Sequence, residues 1–293
     1  MSAEPPTPFP PILVEALEHF RVLGALASEL GRILGVRFVP GEAVNDAQIG
    51  LTQRRALQLW NAGRKEESRW EVMRLAILVE WLTAIEQHDP AIIQSLRPRL
   101  LARDVSAYFG AHHEAKIGAG LLRRGLAVRH EAAEGSPDYE VLDAEGNFVV
   151  GVECTSAHIP ESLATPDNFQ IEPSEPAAED PSYRIARRIR SKARKPYARS
   201  DVVLSIDTTN IEAVTGSDQA SLDQAIEALE ESGFGSLLVY ASVINLDGDE
   251  PELTFAYRRR DASTIAPRLR AFLDTHFPTG KFEIEKFATS RLP

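Results

Sequence analysis

Cysteine is almost absent from this 293-residue chain, because Cys154 is its only one. A single cysteine excludes an internal disulfide framework and suits a reducing compartment, so we expect a cytoplasmic protein. No apolar run is long enough to cross a bilayer, and the N-terminus lacks a basic region followed by an apolar stretch. The sequence therefore predicts neither a membrane partner nor a secretory signal. Also missing are Walker-type and dinucleotide-type glycine loops and the HExxH or cysteine-cluster spacings of zinc sites.

The charge is acidic overall but unevenly distributed. Lys and Arg number 32 against 43 Asp and Glu, a net charge of -11, which argues against a protein that coats nucleic acid through bulk electrostatics. Residues 106–182 carry 4 basic and 14 acidic residues, whereas residues 183–199 carry 8 basic residues and no acidic one. This order is typical of a cation site beside a phosphate-binding surface, and equally of a solvated loop beside a solvated helix.

The chain divides into two regions of different periodicity. Residues 1–104 have apolar side chains three and four apart and predict an all-helical N-terminal region. Two X-Pro pairs predict a hinge near residues 89–104. Residues 105–293 instead alternate short strands with helices, in the order α-β-β-β-α-β-α-β-β-α-β. Helices interleaved with strands predict an α/β domain whose mixed central sheet is flanked by helices.

Two carboxylates are predicted to face each other across a hairpin. Asp138 opens one strand, Glu153 lies late in the next, and a turn signal stands near residues 145–146. A tight turn there makes the numbers of paired residues sum to about 291, which sets Asp138 opposite Glu153. Two carboxylates side by side repel each other unless a cation is present. Because hydrolysis of a phosphodiester also needs a divalent ion held by carboxylates, we predict Mg²⁺ or Mn²⁺.

The segments Ser136-Pro137-Asp138 and Glu153-Cys154-Thr155 resemble the two half-motifs of the PD-(D/E)xK, or restriction-endonuclease-like, nuclease superfamily. The resemblance implies a restriction-endonuclease-like core and a metal-dependent phosphodiester hydrolase that acts on DNA or RNA, in restriction, repair or defence. Of the two nucleic acids, DNA is the expected partner. It also implies that Asp138 and Glu153 bind the catalytic metal, aided by the carbonyl of Cys154. Glu114, in the helix before the hairpin, matches the acidic residue that often completes the metal site.

The sequence departs from the motif at Thr155, which stands where the family usually has its catalytic lysine. That lysine is expected to orient the attacking water and to stabilise charge on the phosphate. Helical spacing places Lys192 on the same face as isoleucines three and seven residues before it, so Lys192 points toward the core side. We therefore predict Lys192 as a relocated catalytic lysine, with Lys195 or Arg188 as alternatives.

The basic segment is predicted to bind phosphates that flank the cleaved bond. Its candidate nucleic-acid-binding residues are Arg184, Arg187, Arg188, Arg190, Lys192, Arg194 and Lys195. The helical region is predicted to serve protein-partner binding, homodimerisation or substrate positioning. Two alternatives stay open: a relative that has lost the lysine and binds nucleic acid or protein without cutting, and an interaction protein whose helical region carries the function.

Overall fold

The computed structural model describes residues 11–38, 46–157, 181–209, 222–245, 252–278 and 282–286. In these ranges an N-terminal helical region precedes a mixed sheet flanked by helices, and the predicted mixed α/β architecture is thereby confirmed. Within the same ranges, no helix combines the length and the apolar character needed to cross a bilayer.

The helical region is followed by helices that alternate with strands. The helices are α1 (Pro11–Leu34), α2 (Gln48–Asn61), α3 (Lys65–His88), α4 (Pro90–Leu100), α5 (Val105–Arg123), α6 (Pro181–Lys192), α7 (Asp223–Ser232) and α8 (Pro267–His276). The strands are β1 (Ala127–His130), β2 (Tyr139–Leu142), β3 (Phe148–Ser156), β4 (Val202–Asp207), β5 (Ser236–Asn245), β6 (Glu252–Asp261) and β7 (Phe282–Lys286). From α5 onward their order is the predicted one.

The seven strands of the described residues join one sheet in the order β1-β2-β3-β4-β5-β6-β7. The three central strands β3, β4 and β5 run parallel, and antiparallel strands continue the sheet on both sides. Strands β3 and β4 are buried along most of their length, as expected for parallel strands that are covered on both faces. The hairpin of β2 and β3 therefore joins an antiparallel margin to the buried centre of the sheet.

The predicted hinge near residues 89–104 is wrong, because this stretch contains helix α4. Asp89 caps the helix by accepting a hydrogen bond from the Ala91 amide at 2.9 Å. Pro90 occupies the first helical position, where its missing N–H costs no hydrogen bond. The first proline thus starts a helix rather than breaking one, and Pro98 lies in the last turn of the same helix.

Helices cover both faces of the sheet. The helices α1 to α5 and α8 share one continuous core with the first face, and α6 and α7 form a second core with the opposite face. Leu26 of α1, Leu78 of α3 and Phe255 of β6 all belong to the first core, so the helical region and the sheet are buried against each other. The predicted boundary between residues 104 and 105 coincides with the turn before α5 but does not separate two cores.

The packing of α5 against the hairpin depends on a close approach at Gly118. Tyr139 of β2 is fully buried, and its hydroxyl donates a hydrogen bond to the main-chain carbonyl of Glu114 at 3.0 Å. A methyl group on Gly118 would lie 2.6 Å from the ring carbon Cζ of Tyr139. Because the interior is close-packed, the enclosed ring has no room to move aside. Gly118 therefore allows α5 to pack against the hairpin that carries Asp138.

Replacing Gly118 by alanine is expected to destabilise the protein by about 1–3 kcal/mol, because the added methyl group overpacks the contact with Tyr139. The matched control is Gly110→Ala in the same helix, where a methyl group meets nothing within 4 Å. Alanine is the better helix former, so the control is expected to stabilise by up to about 1 kcal/mol. Urea unfolding measures both changes, and equal effects of the two substitutions would contradict the close approach.

Candidate functional site

The hairpin formed by β2 and β3 has the predicted register. Tyr139 pairs with Val152, and the next two pairs follow in step, so the residue numbers in each of these three pairs add up to 291. A bulge then shifts the register by one toward the turn, where Leu142 pairs with Phe148. One step beyond Tyr139 in the other direction sets Asp138 opposite Glu153. The main-chain N–H of Asp138 donates to Glu153 Oε2 at 3.3 Å, and the N–H of Cys154 donates to Asp138 Oδ2 at 2.7 Å. The structure thus brings the two predicted carboxylates together.

Pro137 affects the main-chain hydrogen bonding at this site. The same register sets Pro137 opposite Cys154. Residues paired in this way normally exchange two N–H to carbonyl hydrogen bonds, but proline has no N–H to donate. The Asp138 carboxylate accepts from the Cys154 amide instead. The carboxylates of Asp138 and Glu153 therefore each accept a hydrogen bond from a main-chain N–H of the hairpin at the start of β2.

Lys192 reaches Glu153 from helix α6. Its Nζ lies 2.6 Å from Glu153 Oε1, and the Glu153 side chain is only 2% exposed. The Tyr197 hydroxyl donates a further hydrogen bond to the same carboxylate. Burial raises the pKa of Glu153, and Lys192 offsets this rise only in part. Burial acts to lower the pKa of Lys192, but the charges of Glu153 and Asp138 outweigh it and hold that pKa above its ordinary value.

Asp138 carries the least compensated charge of the site. Within the described residues its carboxylate accepts a single hydrogen bond, from the Cys154 amide, and forms no ion pair. Burial and the neighbouring charges of Glu114 and Glu153 raise the pKa of Asp138 well above its ordinary value, against the opposing effect of Lys192. A cation bound beside Asp138 would lower this pKa, because it would compensate the negative charges.

Glu114 comes from α5, which packs on the opposite face of the sheet from α6. Its two carboxylate oxygens accept hydrogen bonds from Arg99 at 2.6 and 2.9 Å, and Glu114 Oε1 lies 2.6 Å from His130 Nε2. Burial opposes the charged form, but the contacts with His130 and Arg99 hold the pKa of Glu114 below its ordinary value. Arg99 therefore already supplies the positive charge that this predicted metal ligand needs.

A second arrangement of ligand-type side chains lies around Glu114. Potential ligand atoms of Glu114, His130 and Glu131 lie within 4.8 Å of one another. Among the described residues, no other group of three or more His, Cys, Asp or Glu side chains brings its ligand atoms this close together. Arg99 also contacts Glu131 at 3.4 Å, so its guanidinium group lies among these carboxylates. A divalent ion in this cluster would have to displace Arg99, whereas Asp138 has no such counter-ion.

The residue in the motif-lysine position and the alternatives to Lys192 lie in other environments. Thr155 is buried in β3 on the same face as Glu153, so the position that the family gives to lysine faces α6. Arg188 donates to the Ser106 hydroxyl at 3.4 Å, and Lys195 is exposed. Of the three predicted cations, Lys192 is the one placed in direct contact with Glu153.

The other predicted nucleic-acid-binding residues divide by their exposure on and after α6. Two are half-buried, Arg184 and Arg188, and four are exposed, Arg187, Arg190, Arg194 and Lys195. The three exposed arginines line an open groove together with Tyr183 and Ser191. Side chains suited to phosphate binding are therefore displayed at the surface, on the helix that carries Lys192.

A further buried polar cluster, formed by Lys116 and Asp207, was not predicted from the sequence. The contacts of Arg99 and Tyr197 with the site were not predicted either. In this cluster Lys116 Nζ lies 3.4 Å from Asp207 Oδ2, joining residues that are 91 apart in the sequence. No local pattern connects side chains so distant along the chain. The available signals were a lysine within the largely apolar part of α5 and an aspartate at the end of an apolar strand.

Comparisons of the chain with protein-family models, with curated proteins and with solved structures found no match in any of the three. The chemistry of the chain's own residues is therefore the basis for assigning a function.

Proposed function

We propose that the chain is a metal-dependent nuclease with a restriction-endonuclease-like core, and that it hydrolyses phosphodiester bonds in DNA or RNA, with DNA as the expected substrate. The observation that carries this proposal is the contact of Lys192 with Glu153 beside Asp138. A lysine and two carboxylates from separate elements converge there, although Thr155 replaces the motif lysine. A cytoplasmic role in restriction, repair or defence belongs to the same proposal.

The donor set of the site fits a hard divalent cation. Asp138, Glu153 and the carbonyl of Cys154 offer only oxygen atoms, which are the ligands that Mg²⁺ and Mn²⁺ prefer. The raised pKa of Asp138 marks negative charge that its neighbours leave uncompensated. When bound, such an ion would neutralise charge on the phosphate and lower the pKa of the attacking water. We therefore assign these three residues as the metal ligands.

Lys192 would act on the substrate. An ammonium group has three N–H donors, and within the described residues that of Lys192 makes one hydrogen bond, to Glu153. The remaining donors are available to a phosphate oxygen, where a fixed positive charge stabilises the negative charge that develops during cleavage. Because its pKa is raised, Lys192 stays protonated at neutral pH. Tyr197 helps to fix the Glu153 carboxylate that orients this ammonium group.

Glu114 and the helical region would support the site from the other face of the sheet. The charge of Glu114 is one cause of the raised pKa of Asp138. Arg99, from α4, and His130 engage the Glu114 oxygens, so a role for Glu114 as a metal ligand requires an exchange of Arg99 for the ion. We infer that the helical region contributes through Arg99, and its binding of a protein partner or a second copy remains a proposal.

The proposed function is tested by incubating labelled single- and double-stranded DNA and RNA with the protein in Mg²⁺, Mn²⁺ or EDTA. The wild type is expected to cut with either metal and not in EDTA. Asp138→Asn and Glu153→Gln are expected to lower the rate by at least about a hundredfold, because each removes a metal-binding carboxylate. Glu145→Gln, at an exposed position in the turn of the same hairpin, is the matched control and is expected to cut like the wild type.

Cleavage that persists in both carboxylate variants would contradict the assigned site. Nucleic acid that is bound but never cut would indicate the non-cutting relative, and copurifying protein partners without nucleic-acid binding would indicate the interaction protein. Thermal unfolding of each variant separates a loss of chemistry from a loss of fold.

A further inference from the structure

An open groove of about 330 Å³ runs along the outer side of α6 and the turn that follows it. Its lining residues are Tyr183, Arg187, Arg190, Ser191 and Arg194. Among the residues that the structure describes, the lining combines three cationic side chains with one aromatic side chain and includes no acidic residue. Its composition therefore suits an anionic ligand that also offers a flat surface.

The three arginines of the groove are not engaged by the part of the chain that the structure describes. In the described part of the chain, none of Arg187, Arg190 and Arg194 makes a hydrogen bond or an ion pair with its side chain. Exposed arginines elsewhere do find partners, such as Arg21 with Glu18 and Arg129 with Glu140. Three unpaired guanidinium groups on one short segment repel one another, and an anion in the groove would remove that repulsion.

The spacing of these side chains favours a row of anions over a single one. Tyr183, Arg187 and Arg190 stand at i, i+4 and i+7 of α6, so one lining side chain recurs at about each helical turn of 5.4 Å, and Arg194 lies in the turn that follows the helix. The four side chains line one groove and therefore follow one another from the helix into the turn, instead of forming a closed ring around one point. A chain of phosphates that runs beside α6 would meet the arginines in succession.

Tyr183 adds a feature that phosphate binding alone does not explain. The residue is 45% exposed. Among the described residues, only two other large hydrophobic residues are exposed, Phe20 and Leu51. An aromatic ring presented among cationic side chains is the combination on which bases of a single strand stack while the cations follow the backbone. In a duplex the base faces are stacked on one another and are closed to such a ring.

We propose that the groove along α6 binds an unpaired nucleic-acid strand, with Tyr183 stacked on a base and Arg187, Arg190 and Arg194 paired with successive phosphates. This inference rests on the proposed nuclease function for the class of ligand and deepens it by naming the form of nucleic acid. The groove would deliver a single strand toward Lys192, which lies between two of these arginines in the sequence.

The experiment is fluorescence anisotropy with a labelled 12-nucleotide single strand and a labelled hairpin duplex, as DNA and as RNA, in EDTA so that no strand is cut. The wild type is expected to bind the single strand at least tenfold more tightly than the duplex. Tyr183→Ala is expected to weaken single-strand binding by about tenfold, within the range for loss of one stacking contact. Tyr183→Phe is expected to bind within about twofold of the wild type, because it keeps the ring.

A salt series tests the arginines separately from the tyrosine. Arg190→Gln is expected to reduce the slope of log affinity against log salt concentration by about 0.7, the value for one phosphate contact with a single strand. Arg21→Gln removes one exposed charge from α1, far along the chain from the groove, and is expected to leave the slope unchanged. Phe20→Ala, which truncates another exposed aromatic side chain, is the control for Tyr183→Ala.

Because binding is measured without metal, its outcome is distinct from that of the cleavage assay. Equal or tighter binding of the duplex, or unchanged binding in Tyr183→Ala, would overturn the inference even if the protein cuts DNA. Single-strand binding that depends on Tyr183 would support it even if no cleavage is found, and the nuclease proposal alone would then fail. A protein that binds neither form would overturn the inference as well.

Discussion

Replacing Lys192 by methionine is expected to lower the rate of metal-dependent cleavage by about a hundredfold to a thousandfold. Methionine keeps an apolar stem of similar length but has no N–H to donate. The variant would therefore lose the positive charge at Glu153 and the donors proposed for the phosphate. Since Lys192 is one of the groups that oppose the raised pKa of Glu153, its loss would also favour protonation of that carboxylate in the metal-free protein.

Two further variants make this result specific to Lys192. Lys195→Met, at an exposed position three residues later, removes the alternative lysine and one predicted phosphate contact, so it is expected to lose much less of the rate than Lys192→Met. Lys192→Arg keeps the charge but changes the geometry of the donors, so it is expected to restore part of the rate. Single-turnover cleavage measures all three, and equal rates for Lys192→Met and Lys195→Met would contradict the relocated lysine.

Replacing Asp207 by asparagine is expected to destabilise the protein by about 3–5 kcal/mol, the usual cost of breaking a buried ion pair by removing one partner. Lys116 is only 6% exposed, and its Nζ lies 3.4 Å from Asp207 Oδ2. The ammonium group is also 4.7 and 5.2 Å from the ring centres of Tyr240 and Phe255. Aromatic faces compensate only part of the charge, so the carboxylate of Asp207 contributes to the stability of the buried ammonium group.

The double variant Lys116→Met with Asp207→Asn distinguishes the loss of a buried ion pair from a general loss of packing. Because methionine suits the apolar and aromatic surroundings, the double variant is expected to recover most of the lost stability. Asp274→Asn, which breaks an ion pair whose carboxylate is 64% exposed, is the surface control and is expected to lose less than about 1 kcal/mol. Urea unfolding measures each, and a double variant as unstable as Asp207→Asn alone would contradict the ion-pair explanation.

The pH dependence of the same pair has a defined sign. Burial raises the pKa of Asp207, but Lys116, His113 and hydrogen bonds from Thr209 more than offset it, so the pKa lies below its ordinary value. Such a carboxylate stabilises the folded state above its unfolded pKa of about 3.9, and the contribution is lost as the pH falls through the folded pKa. The difference in stability between wild type and Asp207→Asn should therefore hold from pH 8 to pH 5 and narrow below about pH 4.

Local patterns in the sequence predicted the hairpin and the position of Lys192. The register that pairs Asp138 with Glu153 follows from a turn signal and the two-residue period of a strand, both of which are short-range properties. Helical periodicity likewise placed Lys192 on the core side of α6, where it contacts Glu153. In both cases one element and its immediate neighbour determine the outcome.

Ion pairs between residues far apart in the chain could not be predicted from the sequence. Arg99 of α4 donates hydrogen bonds to Glu114 of α5, across the boundary between the two helices. The sequence predicts a hinge around Arg99, because prolines usually interrupt helices, and so it does not predict this contact. Lys116 and Asp207 meet only when α5 packs on β4, so their pairing depends on how the whole sheet is covered. A charged residue with a distant partner and one in solvent look alike in a sequence until the packing is known.

Binding of Mn²⁺, measured by calorimetry on the wild type, Asp138→Asn and Glu131→Gln, tests the central claim most directly. The proposed site predicts one ion for each chain, lost in Asp138→Asn and kept in Glu131→Gln, because Asp138 is a ligand and Glu131 belongs to the cluster that Arg99 already neutralises. An ion that persists in Asp138→Asn and disappears in Glu131→Gln would place the metal at Glu114 and His130. That result, or no bound ion in the wild type, would contradict the metal site at Asp138 and Glu153.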